Sequence, residues 1–134
     1  MSASSALQQA IIDALRADAG VTAIVGQRSY DAPPKDVVYP FISLGTSVIT
    51  TDRPDGYSSR GEVVQVDAWT EDQRQRQPIK ALCDAVIDAL DQADLDLAGV
   101  YGLARLDLVL ARVMDDPDGI TKHAALQFEC GVTG

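Results

Sequence analysis

Metal-binding and catalytic chemistry have little to work with in this sequence. There is a single histidine, His123, and there are only two cysteines, Cys83 and Cys130. A structural zinc site takes about four nitrogen or sulfur ligands, so no metal site is expected. Both cysteines fall on apolar faces of the hydropathy pattern, where a thiol acts as a small hydrophobe in a reducing compartment. No Gly-x-Ser-x-Gly elbow, phosphate-cradling Gly-Lys loop or dinucleotide-binding glycine pattern occurs, and no cofactor is expected. Glu62 and Asp67 cannot act as a carboxylate pair, because five residues apart on one strand they face opposite ways. Asp115, Asp116 and Asp118 carry the oxygen chemistry of a Ca²⁺ or Mg²⁺ site but lack the loop length and closing Glu of an EF-hand. Turn formation explains them more simply. The expectation is a protein that is not an enzyme.

Basic residues are scarce as well: 11 against 20 acidic ones, a formal net charge of −9, with no basic stripe. Such a field repels phosphate backbones and disfavours sequence-specific nucleic-acid binding, while still suiting a passage through which DNA slides. No apolar run approaches the ~20 residues of a membrane span, and residues 1–5 lack the basic and apolar regions of a signal peptide. These features give the expectation of a cytosolic soluble domain without a membrane partner.

What is present is strong patterning over one domain, residues 1–134. In the last third, 103–114 and 120–132 alternate in hydropathy on either side of Asp115-Asp116-Pro117-Asp118-Gly119. Leu106, Leu108 and Leu110 are expected on one face, with Arg105 and Asp107 opposite. Ala124, Leu126, Phe128, Cys130 and Val132 share a face away from His123, Gln127 and Glu129. Period-two alternation marks half-buried antiparallel strands. Asp116-Pro117-Asp118-Gly119 fits a type I turn, with Pro presetting its second position and Gly tolerating the exit.

Earlier, residues 4–18 read as a helix capped by Ser4 or Ser5, with Leu7, Ile11, Ala14 and Leu15 at helical spacing and Gly20 as its stop. A connector holding Pro33, Pro34 and Pro40 spans 26–40. Residues 41–51 read as a strand with Ile42, Leu44, Thr46 and Val48 on one face, and 62–70 as its partner with Val64, Val66 and Ala68 inward and Trp69 outward. Between them, 52–61 reads as a long hairpin loop. Ile79, Leu82, Cys83, Val86, Ile87 and Leu90 form one helical stripe, with Pro78 in the first turn and Lys80, Asp84, Asp88 and Asp91 facing solvent. Residues 95–100 carry a short extended piece. The order α-β-β-α-β-β implies an α+β fold: a four-stranded antiparallel sheet with two helices packed on one face and long hairpin extensions.

Several residues have no core duty in this scheme. Tyr30 and Tyr57 lie in loops, Arg53 and Arg60 flank the 52–61 tip, and Trp69 leaves the core face. Aromatic and Arg side chains anchor protein–protein contacts, and an open sheet with free edges needs a partner. For Trp69 and Tyr30, packing beneath the helices is the competing reading. Together they favour assembly.

The blocks Gly26-Gln27-Arg28-Ser29-Tyr30-Asp31-Ala32-Pro33, Tyr39-Pro40-Phe41-Ile42-Ser43-Leu44-Gly45, Val64-Gln65-Val66-Asp67-Ala68-Trp69 and Asp116-Pro117-Asp118-Gly119-Ile120-Thr121-Lys122-His123 occur in a telling order. They resemble the tail terminator, or tail completion, proteins of long-tailed phages, prophages and gene transfer agents, from the first helix to the last strand. The resemblance implies a homo-oligomeric ring, of six copies, on the head-proximal end of the tail tube. Such a ring stops tube polymerisation and joins the tube to a neck or head-closure protein, with DNA passing through its lumen. It is assembled in the host bacterial cytoplasm and then sits at the head–tail junction. Tyr30, Arg53, Asp55, Tyr57, Arg60, Trp69, Asp116, Asp118 and His123 are the candidate ring or tube contacts. A neck or minor tail component, and a small-molecule enzyme with a deep polar pocket, remain the other readings.

Overall fold

The computed structural model describes residues 2–52, 59–71 and 75–134, apart from the side chains of 51, 52, 59, 60 and 104. Among them are three helices, α1 (Ala3–Ala17), α2 (Ala19–Val25) and α3 (Gln77–Leu90). Five strands, β1 (Ser29–Tyr30), β2 (Phe41–Asp52), β3 (Ser59–Glu71), β4 (Gly102–Asp115) and β5 (Thr121–Thr133), form one sheet in the order β1-β2-β3-β5-β4. The four long strands alternate in direction, and β1 adds to β2 in parallel at Ser29–Ile42 and Tyr30–Ser43. The α+β class and the helical layer on one face stand as expected. The helix count, the strand count and several faces do not.

The first helix ends earlier than Gly20, because Asp18 interrupts it. Asp18 is extended, and its carboxylate accepts a hydrogen bond from the Val21 amide at 3.0 Å, so it caps a second helix that contains Gly20. That helix buries Val21 and Val25. At the other end of α1 the cap is Ser2, whose hydroxyl accepts from the Ser5 amide. Ser4 reaches instead across to the buried carboxylate of Glu62 at 2.9 Å. Tyr30 is in a strand and half-buried, and 95–100 forms no strand.

α3 buries Ile79, Leu82, Cys83, Val86 and Leu90 on its expected stripe. These meet Leu7, Ile11 and Leu15 of α1 and Val66, Leu126 and Phe128 of the sheet in one core. Each large side chain so covered contributes about 1.5–3 kcal/mol of transfer free energy. Both cysteines are free and buried. Burial, with Glu62 nearby, pushes the Cys130 thiol up to about 12, and burial also raises that of Cys83.

Two bulges overturn the expected faces. In β2 the register jumps between Leu44, opposite Val66, and Ser47, opposite Val64. The extra residue reverses the pleat, so Thr46 and Val48 do not continue the Ile42–Leu44 face. Val48 pairs with Val63 on the helix-free face and is 59% exposed. In β4 a second jump between Leu108 and Leu110 turns Leu110 away from Leu106 and Leu108, leaving it 46% exposed.

The β4–β5 turn forms as its residues dictate. The Gly119 amide donates to Asp116 O at 3.0 Å, and Gly119 takes φ +78. Asp118 accepts from the Ile120 and Thr121 amides and from the Thr121 hydroxyl at 2.6 Å. That hydroxyl, more than any other partner, holds the Asp118 carboxyl below its ordinary range.

Candidate functional site

The helix-free face of the sheet gathers residues that ordinary solvent-facing strands do not. Pairing of Phe41 with Trp69, and of Trp69 with His123, lays three rings across neighbouring strands. The Trp69 and His123 rings stack at 3.8 Å and 6°, and Phe41 lies 6.1 Å from Trp69. Tyr39 meets Phe41 edge-on at 5.1 Å, and Tyr30 stands 6.4 Å from it. Trp69 therefore does face away from the helices. The reading that would tuck Trp69 and Tyr30 beneath them is wrong, because both belong to the opposite pleat.

Behind the rings is a buried acid. Asp67 is 6% exposed although no helix covers it. Its Oδ1 meets His123 Nε2 at 2.6 Å and accepts from Gln65 Nε2 at 2.9 Å. Trp69 Nε1 donates to Ser43 Oγ at 3.1 Å. The bulge in β2 brings Gly45 over the carboxylate: a Cβ there would stand 2.6 Å from Asp67 Oδ2. Only glycine lets the strand pass so close.

A His–Asp pair invites a catalytic reading, but among the described residues no hydroxyl or thiol is hydrogen-bonded to the imidazole. Among the described residues the only hydrogen bond shown for Ser43 Oγ is from Trp69, and one face of the imidazole is covered by the indole. The carboxylate and indole fix the orientation of the imidazole within the helix-free face.

The turn aspartates are similarly engaged. Asp115 Oδ2 accepts from Arg76 Nη2 at 2.6 Å and its Oδ1 from Arg76 Nε at 3.1 Å, which clamps the start of α3 to the end of β4. Lys122, 3% exposed, stands 3.5 Å from the same carboxylate. The Arg76 guanidinium holds the Asp115 carboxyl below its ordinary range. Asp91 is exposed as expected and also accepts from the Leu108 amide at 2.9 Å.

Arg53, Asp55 and Tyr57 lie outside the described residues, as does the side chain of Arg60. Of the other candidates, the fold unites Tyr30, Trp69 and His123 on one face and places Asp116 and Asp118 in the turn. The contributions of Asp67, Gln65, Phe41 and Gly45 were missed. A buried acid on a helix-free strand has no periodic signature, and the one clue was a glycine inside a strand pattern. An open cleft of about 320 Å³ at the foot of the sheet is lined mainly by apolar groups of Ile24, Tyr39, Pro40, Pro78 and Ala81. Thr70 and Glu71 supply its polar lining.

Comparison with known proteins agrees with the block order. A family model described as Tail completion protein gp17 matches residues 9–133. The Tail completion protein gp17 of Bacillus phage SPP1 is 31% identical over 125 residues, 93% of this chain and 90% of that one. A chain in the solved virion of a native gene transfer agent particle superposes with a TM-score of 0.90 at 29% identity, over 99% of this chain and 98% of that one. The solved structure of bacteriophage SPP1 gp17 shares the fold, with a TM-score of 0.61 at 24% identity over 96% and 89% of the two chains. Proteins of this family are structural tail completion components of virions rather than enzymes. This chain belongs to the Tail completion protein gp17 family.

Proposed function

We propose that the chain caps the head-proximal end of a tail tube in a phage-like or gene-transfer particle, ends the tube's polymerisation and joins it to a neck or head-closure protein. The observation that carries this reading is the likeness, over nearly its whole length, to a chain of an assembled gene transfer agent particle. Its form is a ring of copies, six by family resemblance, since head-to-tail contacts that close leave no growing end. The helix-free face supplies the contact chemistry: aromatic anchors at Tyr30 and Trp69 and a held imidazole at His123, with the Asp116–Asp118 turn and Arg53, Asp55, Tyr57 and Arg60 as further contacts. Six copies at −9 each would carry −54, a field in which DNA passes through the lumen without being gripped.

Electron microscopy of particles made without this gene tests the reading. Abnormally long tubes beside filled, separate heads are the expected result. Tubes of normal length that fail to join heads would move the protein to the neck. Normal, joined particles would overturn the reading.

A further inference from the structure

The two edges of the sheet are left open over stretches that are offset from each other. On one side, β1 covers β2 only at Ile42 and Ser43, so 44–52 has no strand beside it among the described residues. On the other, the Gln92 amide donates to Leu106 O and Asp91 accepts from the Leu108 amide, so β4 is covered at Leu106 and Leu108, and 109–114 has no strand beside it on that edge among the described residues. The open stretch of β2 lacks the usual protection over 44–51, and that of β4 carries a single charge, Arg112. Edge strands normally carry charge or proline, or are covered, to stop other chains pairing with them. Residues 44–51 hold no charge and no proline, and Val48 and Ile49 are exposed. Across the sheet, Val109 and Leu110 are exposed in the same manner.

We propose that the open edge of β2 in one copy of this chain pairs, antiparallel, with the open edge of β4 in the next copy, so that the sheet runs continuously around the ring. The proposal rests on the ring reading above and names the contact that closes it. Two observations, together with the offset between the open stretches, point to a second copy as the occupant. The four long strands alternate in direction, so a head-to-tail neighbour brings β4 antiparallel to β2 and the alternation continues. The covered stretches, β1 on one edge and Asp91-Gln92 on the other, block a level pairing and permit an offset one.

The size of that offset suits a closed ring. Val48, near the middle of the open β2 stretch, pairs with Val63. Arg112, near the middle of the open β4 stretch, pairs with Ala125, which pairs with Asp67. Val63 and Asp67 are four positions apart, about 13 Å along a strand. One copy's four long strands span about 19 Å across the sheet. A ring without rise then needs its strands tilted by about 35°, within the range that closed sheets adopt. In this register Val48 lies opposite Arg112 of the neighbour, flanked by Leu110 and Met114 on the helix-free face.

Charge placed at position 48 tests the pairing, because like charges directly opposite each other destabilise a strand pair. Val48→Lys, Val48→Lys/Arg112→Glu and the parent chain are compared by native mass spectrometry, with circular dichroism to verify folding. The expected result is a ring for the parent, at least about tenfold less ring for Val48→Lys, and recovery in the double variant. In assembled particles, Val48→Cys/Arg112→Cys forms disulfide-linked multimers under mild oxidation, whether or not the free chain closes into rings. Particles carrying that pair without any linked multimer overturn the proposal, as does a ring indifferent to Val48→Lys. Either failure leaves the tail completion reading to be judged by tube length in the deletion experiment.

Discussion

Leu126 and Phe128 of β5 are fully buried beneath the helices, packed with Val66, Leu82 and Leu7 in a core of apolar side chains. Along the same strand but on the other face, His123 reaches a buried carboxylate and stacks on an indole. The covered face derives its order mainly from water exclusion, which tolerates many sequences of about the right size and shape. The open face derives its order from directed contacts among a few residues, since no second layer shields it. One face therefore sets stability, and the other holds a defined pattern of chemistry where a partner can meet it.

The largest way to break that contrast is on the covered side. Phe128→Ala should cost about 3–5 kcal/mol, by lost transfer free energy and an unfilled cavity, measured by urea unfolding. It should leave the helix-free face unaltered in whatever fraction stays folded. Asp67→Ala should cost less, about 1–3 kcal/mol, since His123 and Gln65 lose their shared acceptor. Its sharper effect should be on assembly: with the imidazole released, recruitment to tails falls further than the stability loss accounts for. Gly45→Ala should mimic it by pressing a methyl group onto the same carboxylate. An Asp67→Ala chain that joins particles as well as the parent does would remove the open face from the contact surface.

How legible each face was in the sequence follows from the same difference. The covered face announced itself by period: the α3 stripe and the even-numbered residues of β5 are where alternation put them. The turn at Asp116–Gly119 was readable because each residue there has a local conformational reason. The bulges were not readable, since an inserted residue changes every later facing without changing composition, and this is why Val48 and Leu110 were placed on the wrong pleat. Asp18 was overlooked because Gly20 is a stronger conventional stop signal than an aspartate able to cap a new helix. Asp67 does face away from Glu62 as the spacing requires, but its burial was not legible, since that depends on three strands converging.

Titration adds a second comparison, between the covered core and the β4–β5 turn, because these two regions respond at opposite ends of the pH scale. On the covered side, the Cys130 thiol is raised from 9.0 to about 12. A raised value means the folded chain keeps its proton after the unfolded chain has lost it. The associated stability is therefore whole below pH 9 and is lost as pH climbs towards 12, with about 1–2 kcal/mol gone by pH 10. Cys130→Ala should flatten that alkaline decline when unfolding is followed at several pH values.

At the turn the sign reverses, and the effect should be the smallest of these. Asp118 and Asp115 are held below their ordinary range, Asp118 by the Thr121 hydroxyl first and Asp115 by the Arg76 guanidinium first. A lowered value means that the folded chain sheds its proton more readily than the unfolded one. The benefit is present above the usual carboxylate range, about pH 4, and is lost as pH falls through the lowered values. Both groups meet solvent, so salt should weaken the Asp115–Arg76 contribution while leaving the Asp118 hydrogen bonds largely intact. Asp118→Asn keeps the shape of the turn but loses the charge. It should abolish the acid-side slope assigned to that group while preserving the Gly119–Asp116 bond, read as an unchanged amide-exchange rate at Gly119. If exchange at Gly119 rises with that substitution, the carboxylate's charge, and not the Pro117–Gly119 backbone, is what closes the hairpin.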